Sequence, residues 1–494
     1  MKSSTILKHW QQALFLLLFA TILATGSCAK KPIIDPDEED PIGQEEIEVT
    51  NADINKWILD SMKYWYYWSA NIPANVNLNL DPESFFESIL KRPDDRFSWI
   101  QNNEELRNSL SGVIKTSGIA VAYYQFSNSP TAYASVRYVH KGSPADVAGL
   151  KRGDLLIRVN DEPFNVANGV VTNAGILSGN DPFSVTKGVL TNGTIYIGDK
   201  VSLTPVENFQ ESAIHLDTII TTISGKKVGY IFYNRFLQNQ AQQLVNVFVK
   251  FKSAGITELI IDERYNSGGS VSVAGLLSAM IHKNFNINSP FIMYKFNNNL
   301  GQFMYSYGQV FGAANAGVVS SLNLGLDRVF VLATGSSASA SELLINNLRP
   351  FMGTDNVIHI GKTTRGKDDA SITISNSHTK FKGEKDWGIQ PIVLKYTNKD
   401  GVGEFVNGLN PHYDVGETIP FAPMGSLQDP LIAKAFSIID PSMSAALNLQ
   451  MSVQADRQKQ LNVKEMEAFN RDLLKPRPLD VTETLIGKKG LQLH

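Results

Sequence analysis

Cysteine is nearly missing from this 494-residue chain. Only Cys28 is present, so no disulfide can form within it. Histidine is sparse and scattered at eight residues, with His9 near one end and His494 at the other. There is no HExxH motif and no cysteine pair, so no metal centre is expected. No glycine-rich phosphate loop is present, no cofactor is expected, and no internal repeat is visible. A basic excess is also absent. Lys and Arg number 45 against 48 Asp and Glu, a formal net charge of −3, which argues against nucleic acid as a partner. What remains is ordinary globular material, 43% apolar and 19% charged. It is too long for one core, so two to four domains are expected.

Long apolar runs are limited to the start of the chain. Lys2 and Lys8 precede ALFLLLFATILA at 13–24, which is short for a membrane span. Thr25, Gly26 and Ser27 then lead into Cys28. Residues 1–28 resemble a bacterial lipoprotein signal, with Cys28 as the lipidated residue. An ordinary cleaved signal and an N-terminal membrane anchor are the alternatives. Each of the three would export the rest of the chain to the periplasmic or cell-surface side of a bacterial envelope. The only membrane contact expected is an N-terminal lipid anchor. Residues 29–50 are acidic, carry three prolines and have little to bury, so they read as a disordered tether.

The body of the chain divides by pattern. Residues 51–111 read as a small helical domain, because Ile54, Trp57, Ile58 and Met62 form one apolar stripe. The aromatic run from Tyr64 to Trp68 is expected to pack against the next domain. Residues 112–207 are β-rich, with short strands between turn signals. From 208 to 426 strands alternate with helices. VGYIFYN (228–234), ELIIDE (258–263), VFVLAT (329–334) and NVIHIG (356–361) read as strands, and 238–254 and 341–348 as helices. That alternation predicts a layered α/β core. Residues 283–325 look like a long, partly irregular insertion, and 427–494 like helices followed by a polar tail.

Three loops in the α/β part follow predicted strands, and in such folds these loops share one sheet edge, where sites form. GSSASASELLINN (335–347) puts a serine between a strand end and a helix start, where free N–H groups can stabilise negative charge. DERYNSGGS (262–270) offers a tight turn with exposed N–H groups. GKTTRGKDDAS (361–371) brings Lys367 beyond a strand end. Taken singly, these read as a helix cap, a structural loop and a surface charge. Together they offer a nucleophile, an anion site and a base. A serine hydroxyl needs a base, and a lysine can serve when burial disfavours its charged form. A Ser/His/Asp triad is the main catalytic competitor, but His9 lies in the signal-like segment, His494 is terminal, His359 sits in an apolar strand and reads as core, and the other histidines are scattered.

The same motifs carry a family resemblance. GSPADVAGLKRGDLLIRVND (142–161) resembles the PDZ domain of bacterial proteases, with Gly118, Ile119 and Ala120 where its carboxylate-binding loop lies. The order PDZ, DERYNSGG, SSASASE, TTRGK over about residues 50–420 resembles the carboxyl-terminal processing peptidases, or tail-specific proteases, in their exported lipoprotein subgroup. The resemblance implies a ClpP/crotonase-like layered core with an inserted or preceding PDZ domain. It implies Ser339 as nucleophile and Lys367 as general base. It implies an oxyanion hole from the N–H groups of Ala340 and Gly268, with Gly269 the second choice. Family members often carry a glutamine four residues after the lysine. Ser371 stands there and is the candidate for orienting Lys367. The expected activity is cleavage of protein or peptide substrates bound in extended form and captured by their C-terminal tails. A non-catalytic peptide-binding lipoprotein on the same fold is the alternative. A crotonase-type thioester enzyme fits less well, because such enzymes use a cytosolic cofactor. The sequence leaves the oligomeric state open.

Overall fold

A computed structural model describes residues 48–126, 129–191, 194–376, 381–461 and 463–468. The signal-like segment, Cys28 and nearly all of the acidic tether lie outside these residues. Among the described residues no helix is long and apolar enough to cross a membrane.

The N-terminal part is helical. Helix α1 (Asn51–Trp65) starts at a capping box in which Thr50 and Asp53 satisfy each other's backbone N–H groups. It is followed by α2 (Pro82–Ser88) and α3 (Asn103–Ser111). The stripe of Ile54, Ile58 and Met62 is buried, and Trp65 and Tyr66 continue it into the main core. The aromatic run therefore packs into the main core rather than against the β-rich part that follows it, and Tyr64 stays exposed.

Next comes the β-rich part: β1 (Ile119–Phe126), β2 (Thr131–Val139), β3 (Leu155–Val159), β4 (Glu162–Ala167), β5 (Val170–Val171), β6 (Phe183–Thr191) and β7 (Thr194–Leu203). The short helix Pro144–Val147 is capped by Ser143. These strands enclose their own apolar core, built on Tyr123, Val136, Leu156 and Phe164.

The α/β part is a six-stranded sheet. Its strands are β8 (Ile214–Thr221), β9 (Lys227–Tyr233), β10 (Glu258–Asp262), β11 (Val329–Ala333), β12 (Val357–Gly361) and β13 (Tyr413–Asp414), in that spatial order. All neighbours are parallel except the β8–β9 pair. Strands β10, β11 and β12 are buried along their whole length, which explains why they read as continuous apolar runs. Helices α4 (Ala241–Ala254), α5 (Val271–Ile281) and α6 (Ala340–Met352) contribute buried residues to the core on one face. Helices α7 (Pro430–Ile439) and α8 (Pro441–Leu461) contribute to the core on the other.

Two segments differ from the sequence reading. Residues 283–325 are more regular than their Asn- and Gly-rich composition suggests. Strands Pro290–Phe296 and Gln302–Ser306 pair there, and the first also pairs with Ile392–Asn398. The polar tail contains a further strand, β14 (Val463–Ala468), which joins the β-rich sheet between β1 and β5. A strand that depends on a distant partner leaves little trace in local composition.

A buried ionic network joins the β-rich part to the α/β part. Arg264, fully buried, donates to both oxygens of Asp262 and to both oxygens of Asp429, at 2.6–3.1 Å, and also to Glu417 at 3.0 Å. Arg152, from the β-rich part, donates to Glu417 at 2.7 Å and to Tyr265 Oη at 2.8 Å. Burial would raise the Glu417 carboxyl, but Arg264 and Arg152 hold it down at about 2. Asp429 also caps α7, accepting from Leu431 and Ile432 N–H. Replacing it removes a cap and leaves buried Arg264 short of a carboxylate. Asp429→Ala is expected to lower unfolding free energy by about 3–5 kcal/mol in urea titration, and a loss below about 1 kcal/mol would contradict the network's role.

Candidate active site

The site forms where three strand-end loops converge. Strand β11 ends at Ala333, and the chain turns through residues 334–338 before α6 begins at Ala340. Ser339 occupies the corner with φ 63° and ψ −112°, a strained conformation for a residue with a side chain. It is fully buried, and its Oγ has no hydrogen-bond partner among the described residues. As the first residue of α6, Ala340 has an N–H with no acceptor in a preceding helical turn. The strain, the unpartnered hydroxyl and the open helix start lie at adjacent positions.

The second loop follows β10. Asn266 organises it: its side chain donates to Tyr233 O at 3.0 Å and accepts from Gly268 N–H at 2.9 Å. Its carbonyl accepts from Ala338 N–H at 3.1 Å and from Ser341 Oγ at 3.0 Å. This turn therefore clamps both sides of Ser339. Gly268, at φ 111°, lies so close that a Cβ there would stand 2.7 Å from Ser339 Cβ and 3.0 Å from its Oγ. Only glycine permits that approach. The expected use of the Gly268 N–H as an oxyanion donor needs correction, because Asn266 already occupies it. The next N–H, that of Gly269, has no acceptor among the described residues. It lies between two backbone bonds to Phe236 and so faces the opposite side of the chain.

The third loop follows β12. Lys367 is fully buried, with its Nζ 4.9 Å from the centre of the Phe97 ring. The ammonium donates to Asp369 Oδ1 at 2.8 Å and to Asp369 O at 3.2 Å. No hydrogen bond joins it to Ser339 Oγ or to Ser371. Ser371 Oγ is buried and has no partner among the described residues, so the orientation of Lys367 falls to Asp369. Burial pushes the Asp369 carboxyl above the usual range, with Lys367 pulling the other way. Ser371, two residues farther along the chain, makes no hydrogen bond to Lys367.

Two buried groups bind the serine loop to the lysine loop. Glu342, one turn into α6, accepts four hydrogen bonds. They come from Ser339 N–H at 2.8 Å, Thr364 Oγ1 at 2.5 Å, Gly366 N–H at 2.6 Å and Lys367 N–H at 2.8 Å. Burial raises its carboxyl, and these four donors oppose that rise. Tyr396 Oη donates to Ser339 O at 3.3 Å and to Lys367 O at 3.1 Å. Ser339 and Lys367 thus share two partners, which fixes their backbones relative to each other. Arg96 reaches over this assembly to Gly366 O and, at 3.3 Å, to Val406 O.

Three family models match successive blocks of the chain. A family model for the peptidase S41 N-terminal domain matches residues 53–99, one for the PDZ domain matches 135–182, and one for peptidase family S41 matches 227–415. The chain thus carries a peptidase S41 N-terminal domain and a peptidase S41 domain. A candidate S41 protease of Bacteroides fragilis, known from a crystal structure, is 25% identical. The likeness has a TM-score of 0.63 and covers 78% of this chain and 96% of that one. Carboxyl-terminal-processing peptidase 2 of Arabidopsis thaliana chloroplasts is 22% identical over 216 residues. That match covers 42% of this chain and 41% of the plant protein. The S41 match encloses all three loops, and the N-terminal match ends at residue 99, just past Arg96 and Phe97, which close over the lysine.

The loop expected to hold a peptide carboxylate sits at the start of β1, ahead of the residues 135–182 that the PDZ model matches. Gly118, at φ 88°, packs so tightly on Ser143 that any side chain would collide with it. Its N–H donates to Thr116 Oγ1 at 2.9 Å, and its carbonyl accepts from His140 N–H at 2.8 Å. Ile119 and Ala120 pair with Val139 and Tyr138. His359 lies buried in β12, and burial lowers its imidazole to about 4, in keeping with a core residue. Among the described residues no cluster of His, Cys, Asp and Glu could hold a metal ion.

The sequence reading missed Glu342, Asp369, Tyr396 and Phe97. Two of them had a visible signal. Glu342 falls three residues after Ser339, the spacing of a capping box. Asp369 falls two residues after Lys367, on the same side of an extended chain. Glu342→Gln keeps the size but loses the charge and points an N–H₂ at donors. It is expected to cost about 2–4 kcal/mol of stability, read by chemical denaturation, whereas an unchanged midpoint would remove Glu342 from this role.

Proposed function

We propose that the chain is an exported serine endopeptidase that works through a Ser339/Lys367 pair. The observation that carries this reading is the strained, unpartnered Ser339 at the start of α6, held by the same carboxylate that holds Lys367. A substrate in extended form would be captured at the PDZ part and laid across the three loops. The expected attachment is a lipid at Cys28, outside the described residues.

In this mechanism Lys367 acts as a neutral amine, held in place by Asp369. The amine then takes the Ser339 Oγ proton as the oxygen attacks the substrate carbonyl carbon. The C–N π-conjugation is lost and negative charge gathers on the carbonyl oxygen. The Ala340 N–H and the α6 start stabilise that charge, with Gly269 N–H as the second donor. The ammonium returns its proton to the leaving amine as the C–N bond breaks. Water, activated by the same amine, hydrolyses the Ser339 ester.

The contact of Lys367 with Asp369 rather than with Ser339 Oγ favours a second reading, a peptide-binding protein on the same fold that does not cleave. One experiment separates them. The chain from residue 48 onward is incubated with unfolded proteins and the fragments are read by mass spectrometry, beside Ser339→Ala and Lys367→Ala. Cleavage reduced about 10³-fold or more in both variants is the expected result. Equal cleavage in Ser339→Ala sinks the peptidase reading, and peptide binding without fragments from any chain supports the binder.

A further inference from the structure

The strand β14 (Val463–Ala468) lies far along the chain from the PDZ part, yet it is built into that part's sheet. It runs antiparallel to β1, with Val463 opposite Phe126, Lys464 opposite Gln125, Glu465 opposite Tyr124 and Met466 opposite Tyr123. On its other side Glu467 and Ala468 pair with Val170 and Val171 of β5. Met466 is 6% exposed and joins the apolar core of the β-rich part beside Tyr123, Phe164 and Val171. Glu465 accepts from Arg137 Nη2 at 3.0 Å. Backbone ladder, buried side chain and ion pair together make a fitted strand.

We propose that residues Val463–Ala468 are an intramolecular ligand that occupies the peptide edge of the PDZ part, and that a peptide binds there only by displacing them. The proposal rests on the reading of this part as the one that captures peptides. Strand β1 begins at the Gly118 loop, so its outer edge is where an extended peptide adds to the sheet. The tail takes that edge in the direction such a peptide takes, approaching the Gly118 end as it advances. Without it the N–H and C=O groups along one side of β1 lose their partners.

Three observations make the occupancy both strong and reversible. Leu461, the end of α8, is two residues from Val463, and α8 is anchored on the α/β core through Met443 and Leu447. So short a tether gives the strand an effective concentration in the millimolar range. The segment is also internal, since the sequence continues to His494, and offers no terminal carboxylate at Ala468. A substrate tail that ends on this edge brings a carboxylate that the resident strand lacks. The resident strand also defines the chemistry of its competitor: an extended peptide with an acidic residue for Arg137 followed by an unbranched apolar side chain for the Met466 pocket.

The test uses the chain from residue 48 to His494, always carrying Ser339→Ala, so that its result does not depend on cleavage. A fluorescein-labelled peptide copying residues 460–468, with a free carboxylate, is titrated against three chains. They are the parent, Met466→Asp and Glu465→Arg. Hydrogen exchange at residues 123–126 is read in the same samples. The expected result is slow exchange in the parent and faster exchange in Met466→Asp. Peptide binding is expected to be about tenfold or more tighter in that variant, with Glu465→Arg shifted the same way. Equal affinity for all three chains overturns the proposal. So does fast exchange at residues 123–126 of the parent, or no peptide binding to any chain. The peptidase reading fails separately, in the cleavage assay alone.

Discussion

The carboxylate of Glu342 is the constraint on which the rest of the site depends. A buried carboxylate is stable only when its oxygens are filled by donors. Here four donors fill them, and these come from the serine corner and from the lysine loop. Satisfying one charge therefore fixes two loops from different strand ends. It also explains how Ser339 is kept at a positive φ: the N–H of that residue is bound to Glu342. On the opposite side of the serine, Asn266 fixes the glycine turn by the same economy, one side chain serving two backbones. Relaxing Ser339 to an ordinary conformation would cost hydrogen bonds in both places.

Much of this was legible in the sequence, for a physical reason. Strands β10, β11 and β12 are buried on both faces, so they appear as unbroken apolar runs with small or polar residues at their ends. That pattern marks the strand-end loops, and the chemistry-bearing residues fall on them. What the sequence could not show was which neighbour each side chain would choose. Lys367 turns to Asp369, and Ser371 is left without a partner among the described residues. The Gly268 N–H turns inward to Asn266. These choices are settled at the scale of a single hydrogen bond, and they depend on residues such as Phe97 and Tyr396, which are remote in sequence. Strand β14 was illegible for a related reason. Its alternation is weak, and its partner β1 lies more than three hundred residues away.

The N-terminal part has a role at the site as well as in packing. Phe97 stands against the lysine, and Arg96 spans the carbonyls of Gly366 and Val406. A part that would read as a separate helical domain therefore closes the pocket that the α/β loops open. The same closure contributes to the complete burial of Lys367.

The junction between the β-rich and α/β parts has its own physical character. Arg152, Glu417, Arg264 and Asp429 form it almost wholly out of contact with water. Dissolved ions screen buried pairs poorly, so ionic strength has little hold on this joint. The desolvation penalty of such charges falls as temperature rises, while apolar contacts gain little. Warming therefore weakens this junction less than it weakens the apolar packing around it, and the two halves of the molecule stay in register while their interiors soften.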